Sequence, residues 1–284
     1  MNAGVLLLST SLARGGAETQ VVELALGLRS RGWNVAVASL IPAASLAGQL
    51  EAAGVPVHSL GMRPGRGNPA GYVRLVKLLR RIRPGILHAH MFHANVLARL
   101  ARLVSPVPAV ISTLHSAAES GRQSREIRRR DLAYRLTDPL GDVVVAVAES
   151  AGARHAAAGA VSRAKLRVIP NGVDTTVFRP DPGARERLRR ALGLGTEFVW
   201  LAVGRLMWKK GYETLLQAFA ACPDAALLVA GSGPQEDELR RLATDRVRWL
   251  GQRDDVADLM RACDGFVQAS VIEGLPVALL EAGA

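Results

Sequence analysis

Residues 170–183 read PNGVDTTVFRPDPG, and this stretch decides how the chain of 284 residues is divided. It is dense in Pro, Gly, Asn and Asp, the residues that interrupt regular structure. On both sides of it, apolar runs alternate with helix-length polar or amphipathic stretches. Upstream, VLLLS (Val5–Ser9) reads as a strand and a helix follows from about Gly16 to Arg31. NVAVASL, VPVHSL, GILHAH, PAVISTLH, VVVAVA and KLRVIPN then read as further strands. Downstream, one short helix precedes four more strands, FVWLAVG, AALLVAG, VRWLG and GFVQAS. Continuous Val/Ile/Leu runs are strands buried on both faces, as in parallel sheets. Their alternation with helices predicts doubly wound α/β domains, two in tandem. The second has too few strands to close a full doubly wound sheet.

Composition narrows the class. Apolar residues make up 49% of the chain, enough for substantial cores and too many for wholesale disorder. Cys222 and Cys263 are the only cysteines, with neither a disulfide framework nor metal-ligand spacing, so a reducing cytoplasm is the expected setting. The N-terminal MNAGVLLLST lacks a basic start and has too short an apolar run for a leader. No apolar stretch approaches the ~20 residues of a membrane-spanning helix. Charge is uneven: residues 1–170 carry 22 Lys+Arg against 9 Asp+Glu, and residues 171–284 carry 14 against 16. A basic first half suggests an anionic partner: a membrane surface, a phosphorylated lipid or nucleic acid.

Doubly wound sheets bind ligands at the carboxyl ends of their strands, so the residues after each strand carry the functional reading. After the first strand, SLARGGAET places Gly15 and Gly16 where the chain turns into a helix. Free N–H groups there favour an anion. The pattern is not G-x-G-x-x-G, so a dinucleotide fingerprint is missing. HAHMFHAN puts His88, His90 and His93 together with no Cys, Asp or Glu nearby to complete a zinc site. Packing or acceptor contact suits them better. VISTLHS puts His115 at another strand end.

The second half holds stronger signals. VGRLMWKKG follows its first strand, with Arg205, Lys209 and Lys210. Only four lysines occur in the chain, and two are adjacent here. A planar Arg fork and a mobile Lys charge suit a diphosphate. AGSGP follows the next strand; its Gly231 region suits a phosphate or nucleobase, and Pro234 suits the first position of a helix. VIEGLPVALLEAGA ends the chain. Pro276 reads as the first residue of a helix, with Glu273 just before it and Glu281 in its second turn. Unpaired N–H groups of the first turn, from Gly274 to Val277 and excepting Pro276, would point at an anion, and a carboxylate on each side can accept from sugar hydroxyls.

In this order, VIPNGVDTTVFRP, VGRLMWKKGYETLLQAFA, GSGPQEDELRRLA, VRWLGQRDDVADLMRACDGFVQAS and EGLPVALLEAGA resemble the retaining glycosyltransferases of family 4. RGGAE, HAHMFHAN and STLHS look like that family's N-terminal domain, so the resemblance covers essentially the whole chain. It implies a GT-B fold: two Rossmann-like domains facing a cleft, an acceptor-side domain over 1–172 and a nucleotide-sugar-binding domain over 173–284. Arg205 and Lys210 match the pair that binds the donor diphosphate. Glu273 matches the first Glu of E-x7-E, at the transferred sugar, and Glu281 the second, at the ribose. His115 matches the histidine beside that sugar. Gly15 and Gly16 match the loop over the diphosphate. Gly231, Gly274, Leu275 and Pro276 complete the donor set, with His88, His90 and His93 on the acceptor side. No metal or other cofactor is implied, because the cations do that work.

The implied activity is sugar transfer from a UDP- or GDP-linked donor to a glycan or lipid-linked acceptor, in cell-surface polysaccharide or glycolipid synthesis. The partners are the nucleotide-sugar, the acceptor and an anionic membrane surface, with no nucleic acid. That surface would be met by basic stretches such as Arg122–Arg130 on the inner face of the cytoplasmic membrane. Family members continue beyond the second Glu with more strands and helices, so a C-terminally truncated chain with an incomplete second domain is expected. A sugar-nucleotide epimerase of the same fold and a non-catalytic nucleotide-sugar-binding module remain as alternatives.

Overall fold

A computed structural model describes residues 4–63, 68–116 and 124–284. The chain divides into two compact units, residues 1–171 and 172–284. In the first unit the elements run β1 (Val5–Ser9), α1 (Gly16–Ser30), β2 (Val35–Ser39), α2 (Ala47–Ala52), β3 (Val57–Ser59), α3 (Pro69–Ile82) and β4 (Ile86–His90). They continue with α4 (Phe92–Ala101), β5 (Ala109–Leu114), α5 (Ser124–Thr137), β6 (Val143–Ala146), α6 (Glu149–Ala157) and β7 (Leu166–Val168). The second unit holds α7 (Pro182–Ala191), β8 (Phe198–Val203), α8 (Tyr212–Ala220), β9 (Ala225–Ala230) and α9 (Glu236–Leu242). β10 (Val247–Gly251), α10 (Val256–Ala262), β11 (Gly265–Phe266) and α11 (Val277–Gly283) complete it. Each of the apolar runs singled out in the sequence forms a strand, although GFVQAS contributes only two residues.

All strand pairs are parallel. The first sheet has the order β3-β2-β1-β4-β5-β6-β7 and the second β10-β9-β8-β11. Both therefore reverse direction once, between β1 and β4 in the first and between β8 and β11 in the second. Alternate side chains of a strand point to opposite faces, and both faces are covered. Leu6 and Leu8 pack with Leu75 and Leu79 of α3 and Ala98 of α4. Leu7 and Val37 pack with Val21 and Val22 of α1 and Leu50 of α2. In the second unit Leu227 and Val229 meet Leu216 and Phe219 of α8, while Leu201 and Leu228 meet Leu259 of α10. Both units are Rossmann-like, as in the GT-B fold.

Local signals set the helix starts. Asn68 caps α3 by accepting from the Gly71 N–H at 3.0 Å, and Pro69 follows it. Asp181 caps α7 from Ala184 in the same way, with Pro182 next. A short polar acceptor at this position satisfies one of the unpaired first-turn N–H groups. Two other proline expectations shift. Pro276 is the extended cap residue, and α11 starts at Val277. Pro234 lies before α9, which starts at Glu236 after Gln235. The Gln235 N–H donates to the Leu206 carbonyl at 3.2 Å, so a tie to the neighbouring loop occupies the positions that the sequence assigns to the helix.

Gly211 and Gly193 both take left-handed backbone, at φ 67° and 59°. A Cβ on Gly211 would fall 2.0 Å from the Ala269 carbonyl oxygen, while one on Gly193 meets nothing within 4 Å. Gly193→Ala should then cost about 1 kcal/mol from backbone strain alone. Gly211→Ala should cost roughly 3 kcal/mol or more, because a backbone atom must also move. Urea unfolding of the two variants measures the difference.

Candidate functional site

In the second unit, three loops converge at the carboxyl ends of the strands. The loops after β8 and β9 are laced together by Gly204 N–H to Ala230 O at 3.0 Å and Leu206 N–H to Ser232 O at 3.0 Å. A Cβ on Gly231 would fall 2.0 Å from the Gly204 carbonyl oxygen, so this glycine is required by the adjoining loop before any ligand is considered. The loop after β11 joins through Val271 N–H to Lys209 O at 2.8 Å. This brings Lys210 Nζ to 2.5 Å from Glu273 Oε1, and Gln268 Nε2 donates to the same oxygen at 3.4 Å. The two side chains are only 18% and 22% exposed. Tyr212 donates to the Gly204 carbonyl at 3.1 Å, and burial, then the Glu273 charge, pushes its phenol up.

Lys210 and Glu273 follow β8 and β11, the two strands that flank the reversal of the second sheet. That is where open α/β sheets bind ligands. Among the other expected donor residues, Arg205 is exposed and forms no ion pair with any described residue, whereas Glu281 is half-buried on α11. The sequence assigns Lys210 and Glu273 to separate chemical groups, and the structure joins them as one pair.

The reversal of the first sheet, between β1 and β4, holds the expected glycines and histidines. Gly15 is the extended cap of α1. Glu18, in the first turn, accepts from Ser11 Oγ at 2.5 Å, and a Cβ on Gly15 would meet this carboxylate at 2.5 Å. The helix start therefore already has an acid beside it. His88 and His90, two apart on β4, point to the same face and stack with ring centroids 4.3 Å apart. His88 Nε2 lies 2.7 Å from Thr113 Oγ1, and His90 Nδ1 lies 3.1 Å from His115 Nε2. His93 is exposed in the first turn of α4, edge-on to Phe92, and does not join them. Among the described residues, no group of three His, Cys, Asp or Glu is placed to hold a metal ion.

Burial pushes His88 and His115 down to about 4 and His90 well below its ordinary value, so all three rings are neutral at pH 7. A neutral imidazole carries one N–H and one lone pair. The His90–His115 contact uses one of each. His90 Nε2 and His115 Nδ1, both buried without a partner, share the remaining N–H and lone pair between them.

His115 also walls a cavity of about 100 Å³ with Phe92, Leu114, Arg130, Tyr134 and His155. At its rim Arg154 grips Asp131 bidentately, at 2.6 and 2.7 Å. Beneath it lies Arg99, fully buried, with Nε donating to Ser112 Oγ at 3.0 Å and its guanidinium 5.3 Å from the Tyr134 ring centroid.

Comparison with known proteins places this geometry. Residues 14–177 match the family model described as Glycosyltransferase Family 4, and residues 184–284 match that of Glycosyl transferases group 1. The chain belongs to glycosyltransferase family 4. A UDP-Gal:alpha-D-GlcNAc-diphosphoundecaprenol alpha-1,3-galactosyltransferase of Escherichia coli is 29% identical over 74% of this chain and 58% of its own length. A GDP-mannose-dependent alpha-(1-6)-phosphatidylinositol monomannoside mannosyltransferase of Mycolicibacterium smegmatis is 41% identical over 37% of this chain and 28% of its own. Anabaena HepE in complex with UDP-glucose superposes with a TM-score of 0.82 at 25% identity, covering 95% of this chain and 74% of that one. The chain spans 58% and 61% of the lengths of the E. coli protein and of a putative glycosyltransferase of Bacillus subtilis.

Sequence reading of this family 4 chain missed Arg99, Tyr134, and the Asp131–Arg154 pair. Nothing marks Arg99 among so many arginines. His88 and His90 share a face because residues two apart on a strand do, whereas His93 lies beyond the end of β4, in the first turn of α4.

The neutral histidines tie stability to pH. Their folded values lie below the unfolded value of 6.5, so the unfolded chain binds more protons between about pH 6.5 and 4. Their contribution is full above pH 6.5 and is lost as pH falls through that window. Moving from pH 7 to pH 5 should lower unfolding stability by roughly 2 kcal/mol for His88 and for His115. Urea melts of wild type and His88→Gln check this, with the variant showing the shallower pH dependence.

Proposed function

We propose that this family 4 chain serves sugar transfer, with retention of configuration, from a UDP- or GDP-linked donor to a glycan or lipid-linked acceptor. The observation that supports it most is the Lys210–Glu273 pair at the sheet reversal of the second unit. Breaking the anomeric C–O bond leaves the electron pair on the departing diphosphate. Lys210 and Arg205 are the cations proposed to hold that charge as it develops, in place of a metal ion. Glu273 is proposed to accept from hydroxyls of the transferred sugar and Glu281 from the ribose diol. Gly231, Gly274, Leu275 and Pro276 would border the diphosphate, and Gly15 and Gly16 are proposed as further donor-binding residues. His115, neutral and lining a cavity, is suited to hydrogen-bond a sugar hydroxyl. Its neighbours His88 and His90 would act on the acceptor side through it. His93, exposed and apart, has no part in this scheme.

Donor identity is also unassigned by the relatives, which are named for UDP-Gal and for GDP-mannose. Thermal-shift measurements with UDP-, GDP- and ADP-sugars test the reading. One donor class should raise the melting midpoint of the wild type, and Lys210→Ala should abolish most of that response. A full response in Lys210→Ala would remove Lys210 from the diphosphate.

A lipid-linked acceptor agrees with the face of α5. Arg125, Arg128, Arg129 and Arg135 are exposed there beside Leu132 and Leu136, which are 43% and 69% exposed. Arg122 and Gln123 of the same basic stretch lie outside the described residues. No helix among the described residues is long and apolar enough to cross a membrane. We propose that this face rests on an anionic lipid surface, where each cation near the headgroups contributes about 1 kcal/mol. Sedimentation with phosphatidylserine-containing vesicles should capture the protein at low salt. Arg128→Glu with Arg135→Glu should release it, and absence of wild-type binding would reject the lipid surface.

A further inference from the structure

Glu273 is the one ion-pair partner of Lys210 among the described residues. We propose that Glu273 makes the site discriminate an intact nucleotide-sugar from a bare nucleoside diphosphate, by competing with the diphosphate for Lys210. This inference rests on the donor site proposed above.

Both side chains have lost most of their contact with water, so separating them strands a poorly hydrated charge. A diphosphate that draws Lys210 away leaves the Glu273 carboxylate with little else. Gln268 Nε2 reaches it only at 3.4 Å, and the Tyr212 hydroxyl is committed to the Gly204 carbonyl. Lysine has three N–H donors and can also hold both anions at once. The carboxylate then stands within a few ångströms of the diphosphate, and repulsion takes the place of the lost pairing. An intact donor relieves either cost, because its sugar brings hydroxyls that donate to Glu273. A bare diphosphate brings none. The same lysine is thus readily available to the substrate and withheld from the product, which is discrimination by a penalty against the wrong ligand. After transfer, Glu273 recovers Lys210 and the nucleoside diphosphate is weakened in its hold.

Isothermal titration of UDP and GDP into wild type and Glu273→Gln tests this. The amide keeps the shape and removes the charge. The nucleoside diphosphate that binds should bind Glu273→Gln about tenfold more tightly, while the nucleotide-sugar of the same base gains nothing. A glutamate that only contacts the sugar would leave the diphosphate affinity unchanged. Should Glu273→Gln fail to fold, Glu273→Ala carries the same expectation. Unchanged or weaker diphosphate binding in the variant overturns the inference and leaves the donor site standing. Absence of UDP and GDP binding to either protein overturns both.

Discussion

Every strand in both sheets runs the same way, and this constraint governs where the chemistry can lie. Parallel strands put all their carboxyl ends on one edge of a sheet, and the helices that return the chain cover both faces. One edge of each unit is therefore left for loops with polar groups. Where strand order reverses, the neighbouring connections pass to opposite faces and the loops part. Lys210 and Glu273 lie at that place in the second unit, and Gly15, His88 and His90 at the corresponding place in the first. The side chains that carry the functional reading were assembled by topology from distant segments.

This explains what the sequence made legible and what it hid. Strands were legible because burial on both faces requires unbroken apolar runs, as in Val5–Ser9 and Val35–Ser39, where all residues are buried. Residue types at strand ends were legible too, because only connections are free to hold Lys210 or Glu273. Their mutual contact was hidden. It depends on β11 pairing with β8, which brings together two side chains 63 positions apart, and no local pattern encodes that register. The glycines of AGSGP were legible as unusual, but a packing reason for them was not visible. The sequence suggests close approach to a phosphate, whereas Gly231 is already required by the Gly204 carbonyl.

The two units use opposite electrostatic solutions at equivalent places. In the second, a half-buried ion pair keeps its charges by mutual contact. In the first, three imidazoles crowd together and burial keeps them neutral. A charge on any one would face its neighbours in a place with little water, so uncharged hydrogen bonding is what this cluster offers. Charge in the first unit lies outside the cluster instead, in the Asp131–Arg154 pair and on the exposed face of α5.

Arg99 shows how the neutral cluster is supported. A fully buried guanidinium normally needs a carboxylate, and among the described residues it has no ion-pair partner. It donates instead to Ser112 of β5 and reaches the Tyr134 carbonyl and Thr137 hydroxyl of α5 at 3.4 and 3.5 Å. Asn95 adds bonds to the Thr113 carbonyl and the Tyr134 hydroxyl, at 2.9 and 3.2 Å. Thr113 in turn meets His88. One polar network thus joins α4, β5 and α5 beneath the cavity. Arg99 Nη2 is left buried without a partner, while Nε, Nη1 and the Asn95 amide are committed to oxygens of fixed elements, which favours a single arrangement of those elements. The network meets the histidine cluster at Thr113, whose carbonyl accepts from Asn95 of α4 while its hydroxyl contacts His88, so α4 and the histidines' own contacts together fix the cluster.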